Sequence, residues 1–376
     1  MRALALLVVA CSACASSHHG GAGSVEITVS GEALALSGYP FPPSSSGGAA
    51  FVDGWDVSFQ RFITVFDKVT LSRDPDTNPG DQAQTGRVVA ELDGPWAVDL
   101  HRGGPLAGKG GSDEQALSVG TIASQSDGSA FDSSVRYAFS YEAVPATPDA
   151  KLLGLDAGDA DYAEMISRGW NVLYVGTATW KGSTCPSSDP TYDFSKLPTV
   201  VTFRLGFATP TGYLNCQNPD NDPAKALGAE EHERGIQVTD NANSIAQVTF
   251  HSDHPFWEGI VHDSPAHFDQ LAALAKPQPD GTWLVTLDDT TAADFTAFTD
   301  RDGEALPWRA CQAGYVPPDA GRQMGFDSRT LGYNPAGDPS SYLRSYADFM
   351  VYDQSTQGHL DSDGLCYVQR HYASPR

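Results

Sequence analysis

Basic residues are scarce in this chain. Only 23 Lys and Arg stand against 47 Asp and Glu in 376 residues, a formal net charge of −24. Binding nucleic acid by counterion release needs clustered cations, so this balance argues against a DNA or RNA partner. The same excess repels an anionic membrane surface. Long apolar runs are missing too: past the N-terminus no stretch approaches eighteen apolar residues, so no membrane-crossing helix is expected there. The chain has six cysteines. The four downstream ones, Cys185, Cys216, Cys311 and Cys366, lack the CxxC-like spacing that a four-thiolate zinc site needs. The nucleophile elbow G-x-S-x-G, the zinc motif His-Glu-x-x-His and a solenoid repeat are likewise absent. These gaps turn the functional expectation towards binding and away from catalysis.

What is present begins with Met1-Arg2 and an eight-residue apolar run, too short to span a bilayer. Val8-Val9-Ala10-Cys11 then resembles the lipobox of bacterial lipoproteins. That resemblance implies lipidation at Cys11, a signal over residues 1–14, and a flexible tether over 15–24. Cys14 is a second candidate, and plain secretion with cleavage near Ala13 or Ala15 is the alternative. The expected location is the bacterial cell envelope, at the outer membrane or cell surface, with the lipid as the only attachment. A membrane transporter or another envelope protein would be the natural partner.

An even number of remaining cysteines in an exported chain predicts two disulfides. Nearest-neighbour pairing, Cys185–Cys216 and Cys311–Cys366, is the default, each bridge contributing about 3–4 kcal/mol in the chain-entropy model.

Gly and Pro punctuate the whole sequence, and between them lie short runs rich in Val, Ile, Thr, Phe and Tyr. This pattern predicts an all-β protein of β-sandwich build. Strands are expected at Val25–Ser30, Val57–Leu71, Arg87–Leu92, Trp96–Leu100, Ser134–Val144, Asn171–Trp180, Thr199–Phe207, Gly235–Thr239, Ile245–His251 and Trp283–Leu287. In Val57–Leu71 the apolar set changes face near Phe62-Ile63, which predicts a bulge or a strand shared between sheets. Two short helices are expected. Asp161–Arg168 stops at Gly169, and Ser264–Ala275 starts with Ser264 as N-cap and Pro265 at the first helical position. A Pro-rich break near 144–149 suggests an N-terminal β domain over 25–147. A second β-rich domain over 148–376 then ends in a loop-rich, disulfide-stapled part.

Chemistry concentrates at 251–267. Four of the chain's ten histidines fall there: His251, His254, His262 and His267. Neutral imidazole is a common ligand for zinc and copper, and Glu258 adds an oxygen donor. If Pro255–Val261 forms one or two helical turns, His254, Glu258 and His262 share one face. His267 comes back through the next helix. The expected site is therefore one Cu or Zn ion held by at least three of His251, His254, Glu258, His262 and His267, serving metal acquisition, storage or delivery. Alternatives are a polar groove that contacts a peptide, glycan or partner protein without metal, and a catalytic histidine. Trp257 lies inside the run, as core or as a lid.

Two other motifs carry less. Gly103–Gly110 nearly matches a phosphate loop, but Gly110 stands where the magnesium-binding hydroxyl belongs. Asp300–Glu304 and Asp361–Gly364 echo the start of calcium loops without the glutamate at position twelve, which leaves at most a weak Ca site.

Overall fold

Ten of these strand expectations meet strands in the structure, which joins two β-sheets around one aromatic core. The computed structural model describes residues 23–45, 48–259, 264–316, 332–338 and 341–371. Cys11 and His262 lie outside them. The smaller sheet has five strands in the order Gly364–Leu365, Gly358–Leu360, Asn243–Phe250, Ser24–Ser30 and Leu117–Ile122. The larger is built on the 18-residue strand Trp55–Ser72, which pairs with Val172–Trp180 and Arg136–Ala143. Both sheets take strands from before and after residue 148, because Ser24–Ser30 pairs with Asn243–Phe250 and Trp55–Ser72 with Val172–Trp180.

Alternation drives the packing. Val25, Ile27 and Val29 point inward and are fully buried. Phe250 of the small sheet meets Phe66, Tyr141 and Tyr213 of the large one, with ring centroids 5.9, 5.9 and 6.3 Å away. In the long strand the register shift nearest the expected face change falls between Phe59 and Arg61, and further shifts lie between Asp67 and Thr70 and between Leu71 and Ser72.

Among the described residues there are four α-helices, two more than expected: Glu32–Ser37, Ala160–Arg168, Asp269–Leu274 and Tyr346–Gln354. Ala160–Arg168 buries Tyr162 and Met165 and ends at Gly169 with φ 67°, as its sequence indicates. Tyr346–Gln354 escaped prediction because eight of its nine residues are buried, so no polar stripe marks its period. The helix expected from Ser264 starts only at Asp269. Pro265–His267 instead runs extended: Val52 donates to the Ala266 carbonyl, Glu258 to that of Pro265, and His267 to that of Phe256.

The disulfides correct the nearest-neighbour pairing. Cys185 joins Cys311, and Cys216 joins Cys366. Sheet register dictates this. Strand Thr211–Leu214 pairs antiparallel with Tyr367–Arg370, Leu214 opposite Tyr367, which brings the flanking Cys216 and Cys366 together. Ser187 bridges Arg309, and Ala310 donates to the Pro186 carbonyl, so Cys185 meets Cys311 in the same way. The bridges span 126 and 150 residues, which raises the chain-entropy contribution to about 5 kcal/mol each.

Candidate metal centre

The strand Asn243–Phe250 presents Val248 and Phe250 to the core and Thr249 to the opposite face, and His251 follows at its end on that same side. Across the ladder, Thr249 stands directly opposite His359. Residues two apart share a face, so His251 is the diagonal neighbour of His359, and their rings stack 4.1 Å apart. A single 3₁₀ turn, His254–Phe256, returns the third imidazole. The His254 ring lies 5.3 Å from His251 and 5.6 Å from His359, edge-on to both. Ligand-type nitrogens of His251, His254 and His359 all fall within 4.8 Å of one another. His254 and His359 are each 1% exposed.

Hydrogen bonding fixes the protons on two of these rings. Thr356 donates its only hydroxyl proton to the Asp353 carbonyl at 2.7 Å. Toward His254 Nδ1, 2.7 Å away, it must therefore accept, so that nitrogen carries a proton and a metal would bond His254 through Nε2. His251 Nε2 faces the Ser362 carbonyl at 2.9 Å, which can only accept. His251 would thus bond through Nδ1. Each of these two rings donates its one N–H to an oxygen, the outer support that metal-bound imidazoles typically have.

The surroundings are acidic. Glu32 Oε1 lies 3.5 Å from His251 Nε2, and Glu32, His251 and Asp363 form a second close group. Burial pushes the Glu32 carboxyl up to about 7 against the pull of His251, and Asp253, Glu114 and Asp363 add to the rise. Burial works against a charged His251, but Glu32, Asp253 and the Ser362 carbonyl outweigh it and hold this imidazole above its ordinary value. Trp257, 3% exposed, stacks on His254 with centroids 3.7 Å apart.

Two other members of the expected ligand set, Glu258 and His267, go elsewhere. Trp257 is extended (ψ 149°), which ends the turn and sends Glu258 away from His254. Glu258 Oε2 meets His267 Nε2 at 2.8 Å and accepts from Tyr315 Oη at 2.7 Å. Behind His267, its Nδ1 lies 3.9 Å from Asp53 Oδ2, and Trp308 packs edge-on at 4.8 Å. The 251–267 run therefore supplies two separate clusters.

Of the residues that complete the first cluster, Glu32, Thr356 and Ser362 carried no ligand signal in the sequence, whereas His359, flanking Cys366 together with His371, could join a site if the C-terminal segment packed across the sandwich. His359 and Thr356 follow the buried helix, Glu32 follows the first strand, and Ser362 sits in the calcium-loop look-alike. The phosphate-loop look-alike is structural: a Cβ at Gly108 or Gly110 would collide with the buried Glu114 carboxyl, and the Lys109 N–H donates to Gln247. Asp300 closes a turn by accepting from the N–H groups of Asp302 and Glu304, both at 2.9 Å.

No family model, no curated protein and no solved structure matches this chain.

Proposed function

We propose that this is an exported transition-metal-binding protein that holds one Cu or Zn ion at His251, His254 and His359, for acquisition, storage or delivery. The observation that carries the reading is the convergence of three buried imidazoles, two of which, His254 and His251, have their outer nitrogens engaged by Thr356 and Ser362. Bonds of about 2.0–2.1 Å to a tetrahedral ion set ligand nitrogens about 3.4 Å apart, inside the 4.8 Å within which ligand atoms of the three residues already fall. Two disulfides support folding outside the cytoplasm. Attachment through a lipid at Cys11, with a transporter or other envelope protein as recipient, belongs to the same proposal.

Metal analysis of protein purified without a His-tag tests it, comparing wild type with His254→Ala and His359→Ala. One equivalent of Cu or Zn in the wild type, lost in both variants, is expected. Absence of metal after loading, or retention in both variants, overturns the reading. Replacing Cys11 by Ser tests the anchor: unchanged membrane attachment in that variant and in Cys14→Ser rules lipidation out.

A further inference from the structure

The ionisable groups that stand closest to the three imidazoles without belonging to the trio are acids. Glu32 approaches His251 Nε2 to 3.5 Å, and Asp363 joins the same pair within 4.8 Å. Asp253 immediately precedes His254. Lys109, whose backbone N–H bonds Gln247 on the strand Asn243–Phe250, has its ammonium held by Asp220 and Asp361. Glu32 itself has φ 61°, a left-handed conformation that few non-glycine residues adopt, and its N–H donates to Ser30 Oγ at 2.8 Å. The carboxylate facing His251 is thus set by a defined backbone arrangement.

The three ligands are neutral, so a bound ion keeps its full charge in a nearly dry place. Burying charge is costly unless opposite charge stands close. Coulomb energy scales with the product of the charges, so the surrounding carboxylates favour a dication about twice as strongly as a monocation. We infer that the centre is built for a divalent ion, Cu(II) or Zn(II), over Cu(I), and that Glu32 and Asp363 set this preference without coordinating. The inference rests on the metal-centre reading above.

The test is competition against chromophoric chelators with Zn(II) in air and Cu(I) under anaerobic ascorbate. It compares wild type, Glu32→Gln and the double variant Glu32→Gln/Asp363→Asn. Glutamine keeps an acceptor for His251 and removes only the charge. The expected result is a fall of about tenfold in Zn(II) affinity against only about threefold in Cu(I) affinity, as half the Coulomb energy implies. An equal fall for both ions would make Glu32 an orienting residue only, and no change for either would remove it from the site; both overturn the inference. If the double variant does not fold, the salt dependence of wild type decides. Zn(II) affinity must then weaken more steeply with ionic strength than Cu(I) affinity, and parallel slopes overturn the inference. A wild type that binds neither ion defeats the metal-centre reading itself, a distinct outcome.

Discussion

His254 Nδ1 and Thr356 Oγ1 lie 2.7 Å apart, and because the threonine proton is spent on the Asp353 carbonyl, the bond runs from imidazole to hydroxyl. One side chain thereby selects the tautomer that turns Nε2 towards His251 and His359. Replacing Thr356 by Val removes the acceptor at nearly constant volume. Metal affinity should fall about tenfold to a hundredfold, the usual cost of losing an outer partner, and Thr356→Ser should restore it. Titration against a calibrated chelator reads the change. Equal affinity for the valine and serine variants would show that the hydroxyl does not orient the ring.

The two disulfides should behave differently. His359 and Ser362 ride on the hairpin Gly358–Leu365, and Cys366 ties its end to buried Cys216, with Gln217 N–H donating to the Leu365 carbonyl at 2.9 Å. Cys311 bonds instead beside Asp53, in the His267 cluster. Removing either bridge by paired Cys→Ala changes should cost several kcal/mol of stability. Only loss of Cys216–Cys366 should also weaken metal binding. Thermal unfolding and metal titration on both variants check this, and equal metal affinity in the two would refute it.

Trp257 is the natural optical reporter. Its ring stacks on His254 at 3.7 Å, so Cu(II) in the centre should quench its emission while Zn(II) changes it little. Trp257→Phe should keep the metal and lose most of the Cu(II)-dependent quenching. Quenching of undiminished size in that variant would place the copper elsewhere.

The sequence announced its strands because alternation is local: Val25, Ile27 and Val29, or Val248 against Thr249, can be read from neighbours alone. It also announced His251 and His254. It could not place His359 beside them, because the contact depends on the register that sets Thr249 opposite His359. The same non-local pairing overturned the disulfide expectation. Glu258 and His267 were misplaced for a local reason, since Trp257 and Pro265–His267 adopt extended backbone where helix was expected.

The second cluster makes a pH prediction. Asp53 Oδ2 accepts the N–H groups of Phe268 and Asp269 at 2.7 Å each. Burial, then the neighbouring Asp269 carboxylate, nevertheless push the Asp53 carboxyl up to about 6, partly offset by His267. A value above that of the unfolded chain, 3.8, means that the folded protein binds this proton more tightly. The stability from this group is complete below about pH 4 and is lost as pH rises through 6, an effect of about 3 kcal/mol. Asp53→Asn keeps an oxygen for both N–H groups and cannot ionise, so it removes that loss. The stability of the variant relative to wild type should therefore rise between pH 4.5 and 7.5. Urea unfolding of both proteins across that range measures the difference, which cancels the titration of other carboxylates. A difference that stays flat with pH would mean that Asp53 ionises in the folded protein much as it does in the unfolded chain.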